Sequence, residues 1–304
     1  DIRRAFINGL TFDNPLIDFI FKNFCYLESN TKDLEKLKEF RAEKIKAVPI
    51  LSHSGEILKI IDFTIMKSVL PIDAVIMAGG LGTRLKPLTD NTPKPLMKVG
   101  NKEIISYNFD RLYQYGVFNQ YITVNYLGNQ IEDFCIDYNE EINFKIIKED
   151  QFLGTAGSLS LIDDFENDTI LLMNSDLLTN IDYEDFYKSF KENNADIMVA
   201  SIAYDISLPY AIFETKSNNN RHIKSFVEKP THTHYANTGI YLVKKSILRH
   251  VPKNEFFNAT DLMNSVINEK GKLIHFPITG YWLDIGKHKD LEKAQRDISH
   301  IDFD

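Results

Sequence analysis

The chain has 304 residues, of which 43% are hydrophobic and 26% are charged, and its formal net charge is -8. This composition is typical of a globular protein with a buried core and excludes a disordered chain. The apolar runs are far shorter than the roughly 20 residues of a membrane span, and an acidic chain binds polyanions poorly, so neither a membrane nor nucleic acid is expected as a partner.

Residues 1–66 predict a small α+β unit. A first helix is followed by a polar helix around Lys32 to Lys46. Two short apolar runs, Ala47–Leu51 and Ile57–Ile61, come next and are separated by a turn at Ser54-Gly55. Two such runs joined by a turn with glycine are typical of a β-hairpin.

A linker over residues 67–72, which contains Pro71, leads to a second predicted domain, residues 73–304. Strand-like runs alternate there with amphipathic stretches, which is typical of an α/β fold with a mostly parallel central sheet. The predicted strands are Ala74–Met77, Tyr121–Val124, Phe144–Ile147, Thr169–Met173 and Ile197–Ala200. The predicted helices cover residues 104–115, 129–137, 156–163, 183–193 and 261–269. Ligands of such sheets bind at the carboxyl ends of the strands.

A glycine-rich loop follows the first of these strands. Residues 78–89 read AGGLGTRLKPLT, and Pro93-Lys94-Pro95 comes shortly after. Glycines let backbone N–H groups approach phosphate oxygens, and Arg84 and Lys94 add positive charge. A Walker A loop is excluded because it ends in Gly-Lys-Ser/Thr, and a dinucleotide fingerprint is excluded because Leu85 stands where its third glycine is required. The glycines alone would also fit a plain tight turn.

The cations of this loop matter because the second domain is acidic. Residues 1–70 hold 11 basic and 10 acidic residues, which leaves 24 basic and 33 acidic residues for positions 71–304. Any phosphate site in the second domain must therefore be a local cluster of cations.

Two aspartates are candidate ligands of a divalent metal ion. Asp176 ends the run Asn174-Ser175-Asp176 after a predicted strand, and Asp284 lies in the segment GYWLDIG at 280–286. Mg²⁺ binds one or two carboxylates together with phosphate oxygens and water, so two aspartates from remote segments suit it. Each aspartate alone would also fit a helix cap or a turn.

Three further motifs contain candidate binding residues. They are LGTAGS at 153–158, FVEKP at 226–230 and NTGIY at 237–241. From the residues alone, Gly154 and Thr155 would also fit a helix entry with a threonine cap, and Glu228 and Lys229 an exposed ion pair.

Taken together, these motifs resemble the sugar-1-phosphate nucleotidyltransferases, which make nucleotide sugars from a nucleoside triphosphate and a sugar 1-phosphate. The resemblance covers residues 72 to about 296. It implies a Rossmann-like, glycosyltransferase-A-like fold and Mg²⁺ as cofactor. It also implies that the nucleotide is bound by Ala78, Gly79, Gly80, Gly82, Thr83, Arg84, Lys94, Gly154 and Thr155.

The same resemblance assigns the remaining roles. Asp176 and Asp284 would bind the metal ion. The sugar phosphate would be bound by Glu228, Lys229, Asn237 and Thr238, and the catalytic residues would be Arg84, Lys94, Lys229 and Asp176.

The substrates are implied more narrowly by two motifs. LGTAG and PKP look most like those of mannose-1-phosphate guanylyltransferases, which implies GTP and a glucosamine- or mannose-type sugar 1-phosphate. Transfer from dTTP, CTP or UTP to glucose 1-phosphate stays open, because contacts to the base edge cannot be read from the motifs. A non-catalytic nucleotide sensor is the alternative from another class.

The first domain resembles a CBS domain. The resemblance rests on Val48-Pro49-Ile50, on Gly55-Glu56-Ile57 and on Ile60 and Asp62, with Asp1-Ile2-Arg3-Arg4 upstream. CBS repeats pair, so residues 1–66 would be a partial CBS unit, a regulatory nucleotide would need a complete pair, and a homo-oligomer is expected. A CBS region fused in front resembles the branch that makes GDP-glucosamine for bacterial legionaminic-type glycan synthesis. A plain structural appendage is the alternative.

Two features bear on the origin of the chain. Cys25 and Cys135 lack the spacing of metal ligands, which favours free thiols in a reducing compartment and predicts a cytoplasmic location. The chain begins at Asp1 without methionine or a signal-like segment, so we expect a fragment of a longer protein.

Overall fold

The computed structural model describes residues 2–20, 23–28, 34–215 and 221–303. The chain divides into two compact units, Asp1–Ser68 and Val69–Asp304, and the division falls inside the predicted linker. Leu70 and Ile72 are buried, and the Leu70 N–H donates to the Tyr115 carbonyl oxygen at 2.9 Å. The last residues of the predicted linker therefore pack as part of the second unit.

The first unit combines short helices with a small sheet. Its helices are α1 (Ile2–Ile7), α2 (Leu16–Phe19) and α3 (Leu34–Ala42), and its strands are β1 (Leu27–Glu28), β2 (Ala47–Leu51) and β3 (Ile57–Asp62). The predicted hairpin is present as antiparallel β2 and β3, and β1 adds a parallel strand that the sequence did not indicate.

Two helix predictions in this unit differ from the structure. The first helix is divided into α1 and α2, with Gly9 at a φ of 88° between them. The polar helix ends at Ala42 rather than Lys46, because Lys44 has a φ of 59° and Ile45 N–H donates back to the Phe40 carbonyl oxygen. Such a left-handed residue terminates a helix. Lys32 and Asp33 lie outside the described residues.

The second unit alternates strands and helices. Its strands are β4 (Asp73–Met77), β5 (Lys98–Val99), β6 (Lys102–Glu103), β7 (Asn119–Val124), β8 (Asn143–Lys148), β9 (Thr169–Asn174), β10 (Leu177–Thr179), β11 (Ile197–Ser207), β12 (Ile212–Thr215), β13 (Ile223–Val227), β14 (Thr231–Lys244), β15 (Leu273–Pro277) and β16 (Trp282–Asp284). Its α-helices are α4 (Ile104–Gln114), α5 (Gly128–Ile136), α6 (Tyr183–Glu192), α7 (Ala259–Asn268) and α8 (His288–Asp297). Among the described residues, no helix is both long and apolar enough to cross a membrane.

The central sheet is mostly parallel, as predicted. Its order among the described strands is β15-β11-β14-β9-β4-β7-β8, and β14 alone runs antiparallel to both of its neighbours. All five predicted strands are confirmed. The helix predicted over 156–163 is wrong, because only a 3-10 turn forms at Gly157–Leu161 and the N–H groups of Ala156 and Gly157 both donate to the carbonyl oxygen of Phe257.

One face of the sheet carries a large apolar core. Alternate strand residues such as Val75, Tyr121, Leu172 and Val199 point to this face, where α7 also packs. The parallel strands β9, β4, β7 and β8 lie side by side, so their carboxyl ends form one continuous edge. The segments that follow these four strands must therefore meet at that edge.

The Arg111 side chain of α4 ties remote segments of this unit together. It is 5% exposed, and its guanidinium group donates to the carbonyl oxygens of Asn180, Ile181 and Phe303, each at 2.7 Å. A guanidinium group in this position satisfies three carbonyl oxygens that no other described side chain is shown to reach.

We expect Arg111→Met to lower the free energy of unfolding by about 2–4 kcal/mol, because buried carbonyl oxygens lose their donors. Arg249→Met is the control, since exposed Arg249 makes only surface contacts, to Glu269 (2.7 Å) and to the Ser246 carbonyl oxygen (3.0 Å), and its loss should cost less than about 1 kcal/mol. Urea unfolding followed by the fluorescence of Trp282, the one tryptophan of the chain, reports on the second unit. Equal losses in the two variants would contradict the role of Arg111.

Candidate active site

A cavity of about 330 Å³ lies at the carboxyl edge of the sheet. Its lining contains all of the residues predicted to bind the nucleotide, Ala78, Gly79, Gly80, Gly82, Thr83, Arg84, Lys94, Gly154 and Thr155, together with Asp176. The structure thus gathers motifs that are up to about 100 positions apart in the chain. They meet where the topology of a parallel sheet places ligands.

The glycine loop has a fixed conformation that depends on Gly82. Its φ is 62°, and a Cβ atom there would lie 3.1 Å from Cγ2 of Thr89 and 3.3 Å from Cβ of Lys94. The Thr89 hydroxyl donates to the Gly82 carbonyl oxygen at 2.9 Å. A side chain at position 82 would therefore strain the loop and push against Lys94.

Lys94 is the buried cation of the site. It begins a 3-10 turn between Pro93 and Pro95 and is only 8% exposed. Its Nζ donates to Oδ2 of Asp176 and lies 3.9 Å from Oδ1 of Asp284. The ammonium group therefore lies within ion-pair distance of both aspartates and offsets one of their two negative charges.

Backbone pairing brings the two aspartates together. Strands β10 and β16 are antiparallel, with Leu177 opposite Asp284, and the Ile285 N–H donates to the Asp176 carbonyl oxygen at 3.1 Å. More than 100 positions separate these segments in the sequence. The spacing of the motifs in the sequence does not predict this pairing, which is seen only in the folded structure.

The aspartate pair fits a divalent cation. Oδ1 of Asp176 and Oδ1 of Asp284 are both buried and have no hydrogen-bond partner among the described residues. Burial, and then the nearby charge of Asp176, raise the pKa of Asp284. No group of three or more His, Cys, Asp or Glu side chains in the described part of the chain is placed to hold a metal ion. Two carboxylates leave further positions for phosphate oxygens and water, which is the preference of Mg²⁺.

The LGTAG segment closes one wall of the cavity. Gly154 has a φ of 80°, and a Cβ atom there would lie 2.7 Å from the carbonyl oxygen of Phe257. The Thr155 hydroxyl accepts from the Ala259 N–H at 2.8 Å, at the start of α7. Thr155 therefore caps a helix that is remote in sequence rather than the one predicted to follow it.

Glu149 is a cavity residue that the motifs did not indicate. It follows β8, is 7% exposed, and its Oε2 accepts from the Leu153 N–H at 3.0 Å. Burial raises the pKa of this carboxyl group. Its place directly after a predicted strand, at the same edge as Asp176, is the signal that could have identified it.

The predicted sugar-phosphate residues are not gathered into this cavity. Glu228 and Lys229 are exposed beyond β13. Thr238 is buried, and its hydroxyl donates to the Ala200 carbonyl oxygen at 2.6 Å. Asn237 donates to the Tyr241 hydroxyl at 2.8 Å and lines a different cavity of about 380 Å³. The sugar-binding roles of these four residues stay predictions.

The carboxyl edge of this α/β sheet thus carries a glycine loop, the cations Arg84 and Lys94, and a carboxylate pair. Residues 73–300 match the family model described as Nucleotidyl transferase, and the chain belongs to this family.

Named relatives agree with this membership. The mannose-1-phosphate guanyltransferase of Schizosaccharomyces pombe is 30% identical over 226 residues, which are 71% of this chain and 61% of the relative. The protein of the same name from Neurospora crassa is 31% identical over 224 residues, with the same shares. The chain thus spans less than two thirds of the length of these relatives.

A solved structure is similar as well. HddC from Yersinia pseudotuberculosis, complexed with GMP-PN, is 27% identical and superposes with a TM-score of 0.57, covering 74% of this chain and 99% of HddC.

We expect Asp284→Asn to stabilise the protein in the presence of a chelator at pH 8. Folding raises the pKa of this carboxyl group above its ordinary value of 3.8. Above pH 3.8 the group therefore loses its proton more readily in the unfolded state, which destabilises the fold, and this destabilisation is complete once the pH exceeds the raised pKa. The midpoint of thermal unfolding should therefore rise by a few degrees at pH 8 and hardly change near pH 3, where both states are protonated.

Asp297→Asn is the matched control, because hydrogen bonds from Lys293 and Tyr281 lower the pKa of Asp297. A carboxyl group with a lowered pKa stabilises the folded state at pH 8, so Asp297→Asn should lower the midpoint of thermal unfolding at that pH or leave it unchanged. A lower midpoint for Asp284→Asn under the same conditions would contradict the prediction.

Proposed function

We propose that the second unit is a sugar-1-phosphate nucleotidyltransferase, which joins GTP to a glucosamine- or mannose-type sugar 1-phosphate and releases pyrophosphate. The proposal rests on one observation, which is that the glycine loop, Lys94 and Asp176 line the same cavity. The Nucleotidyl transferase match supports the type of reaction, and the relatives named mannose-1-phosphate guanyltransferase and the GMP-PN complex of HddC support a guanine nucleotide.

In this reaction an oxygen of the sugar 1-phosphate attacks the α-phosphorus of the nucleotide. The new P–O bond forms as the bond from the α-phosphorus to the leaving pyrophosphate breaks, so no covalent enzyme intermediate is required. Because two anions approach each other, catalysis depends on positioning and on positive charge. In this proposal the backbone N–H groups of Gly79, Gly80 and Gly82 bind the phosphates, and Arg84, whose guanidinium group lies beside Gly286, adds positive charge.

Asp176 and Asp284 would hold Mg²⁺ through the carboxylate oxygens that lack partners. When bound, the ion supplies positive charge next to the reacting phosphate. Lys94 lies at the same place, and in this proposal its ammonium group donates to a phosphate oxygen of the nucleotide.

Glu228 and Lys229 would bind the sugar hydroxyls and the sugar phosphate, as the family resemblance implies. They follow the exposed hairpin of β12 and β13, outside the cavity of the glycine loop. The sugar phosphate would therefore bridge this hairpin and the cavity.

We also propose that residues 1–66 are a partial CBS unit in a cytoplasmic enzyme of legionaminic-type glycan synthesis. The small α+β unit and its exposed Ile57, Leu58 and Ile60 are consistent with a surface that a second CBS unit would cover and with a homo-oligomer. Free Cys25 and Cys135 are consistent with the cytoplasm.

Pyrophosphate release tests the enzyme directly. With Mg²⁺, GTP, dTTP, CTP, UTP and ATP are each offered against mannose, glucose, glucosamine and N-acetylglucosamine 1-phosphates, and we expect release with GTP and a mannose- or glucosamine-type partner. Asp176→Asn should lower kcat by about 10²–10³, because charge that stabilises the transition state is lost. Exposed Asp163→Asn is the control and should match the wild type.

The same assay separates the alternatives. Release only with dTTP, CTP or UTP would replace the guanylyltransferase assignment. Tight nucleotide binding without release from any pair, with Asp176→Asn changing only the affinity, would favour a nucleotide sensor.

Lys229→Gln should raise the KM for the sugar 1-phosphate about tenfold or more and leave the KM for GTP unchanged, because one charge-assisted hydrogen bond to the sugar phosphate is lost. Exposed Lys224→Gln on the same hairpin is the control, since Lys224 pairs with Glu214 at 3.5 Å. An unchanged KM for the sugar 1-phosphate in Lys229→Gln would remove Lys229 from the substrate site.

A further inference from the structure

The chain between β16 and α8 contacts the glycine loop at two places. Strand β16 ends at Asp284 and α8 begins at His288. Gly286 lies against the side chain of Arg84, and Nε2 of His288 lies 3.1 Å from the carbonyl oxygen of Lys86. A carbonyl oxygen only accepts, so Nε2 of His288 carries the proton and donates the hydrogen bond. The segment that begins with a candidate metal-binding aspartate thus also contacts the part of the loop that carries the arginine.

The flat face of the Arg84 guanidinium group lies over Gly286. A Cβ atom on Gly286 would lie 3.2 Å from Nη1, 3.4 Å from Cζ and 3.4 Å from Nη2 of Arg84. Three nearly equal distances mean that the face of the guanidinium group, rather than its edge, is turned to position 286. Gly286 is buried and is not among the glycines with a left-handed φ, so its backbone would accept a side chain. The place of Arg84, and not the backbone, therefore requires glycine at position 286.

Packing, and not pairing, holds Arg84 in this place. Within the described part of the chain, its guanidinium group forms no salt bridge and no hydrogen bond, whereas Lys86 pairs with Asp90 at 3.3 Å. A long, exposed side chain loses rotamer freedom when it is held in one place, so its position depends on the groups packed against it. For Arg84 this group is Gly286, and the His288 hydrogen bond fixes the main chain two positions further on.

We propose that Gly286 and His288 are positioning residues for Arg84, an inference that rests on the proposed function. Arg84 and Gly286 both line the nucleotide cavity, and Gly286 gives the guanidinium group a flat place at its wall. A guanidinium group donates hydrogen bonds in its own plane, so a contact through its face leaves its donors available for phosphate oxygens.

The same segment keeps Arg84 near the aspartate pair. Burial, and then the charge of Asp176, raise the pKa of Asp284. The positive charges of Lys94 and Arg84 oppose this rise, so Arg84 lies within electrostatic range of Asp284. Only one residue separates Asp284 from Gly286 in the chain. The aspartate and the support of the arginine therefore cannot move independently of each other.

A methyl group at position 286 would displace the guanidinium group and leave the fold intact. The three atoms that it would meet belong to the far end of a flexible side chain, which can shift by a few tenths of an ångström. Because a misplacement of about 1 Å can cost about 100-fold in rate, we expect Gly286→Ala to lower kcat about three- to tenfold. The midpoint of thermal unfolding should change by no more than about 2 °C, since no core contact is lost.

Pyrophosphate release by the full chain tests the role of Gly286 in a double-mutant cycle. The wild type, Gly286→Ala, Arg84→Met and the double variant are compared in Mg²⁺ buffer, with the screened substrate pair that the wild type turns over fastest. In the Arg84→Met background, Gly286→Ala should change kcat by less than about twofold, because the group that it displaces is absent. An equal loss in both backgrounds, or an unchanged kcat in Gly286→Ala alone, would overturn the role of Gly286.

Two variants of His288 test the second contact in the same assay. His288→Phe keeps a ring but removes the donor, and we expect kcat to fall about two- to fivefold, a modest loss because water competes for an exposed hydrogen bond. His288→Gln places an amide N–H near the position of Nε2 and should restore kcat to within about twofold of the wild type. Exposed Lys289→Gln is the control and should match the wild type. Equal rates for His288→Phe and the wild type would overturn the role of His288.

One comparison separates this inference from the proposed function. Wild-type release of pyrophosphate from a screened pair, with the same kcat in Gly286→Ala and His288→Phe, would overturn the inference and leave the nucleotidyltransferase in place. Absence of release by the wild type from every screened pair would overturn both.

Discussion

The ion pair network of Lys94 with Asp176 and Asp284 is the interaction on which the site depends. Two carboxylates at the edge of an acidic domain repel each other, and burial makes the repulsion stronger because water screens it less. Lys94 offsets one of the two negative charges and is itself held by flanking prolines and by the glycine loop, which passes close to its Cβ atom at Gly82. The loop, the cation and the carboxylates therefore have to form together.

The parallel sheet gives this network a direction. Strands β9, β4, β7 and β8 end along one line, so the charged groups lie at one end of the cavity and Glu149 with Phe152 at the other. A triphosphate requires cations where its charge is concentrated, and a base requires a flat surface and a fixed hydrogen-bonding group. Strand order alone separates these two requirements in space.

Local patterns predicted the parts that local physics determines. The five strands, the glycine loop and its meeting with Gly154, Thr155 and Asp176 followed from apolar runs and from the rule that ligands lie at carboxyl ends of strands. The pairing of β10 with β16 and of the antiparallel β14 with β9 depends on contacts more than 60 positions apart, which periodicity does not encode. Glu149 belongs to no motif, and only its place after a strand at the same edge of the sheet indicates that it lines the cavity.

The two ends of the cavity share a further property. Asp284, beside the cavity residue Asp176, and Glu149 are carboxyl groups whose pKa is raised by burial, so each is less stable when ionised than it would be in water. A folded chain tolerates such groups only because the surrounding core over-determines their positions. A divalent cation near Asp284 and hydrogen-bond donors near Glu149 would both relieve this loss. The unfavourable burial of these carboxyl groups in the free protein is thus also a source of affinity for a ligand that satisfies both ends at once.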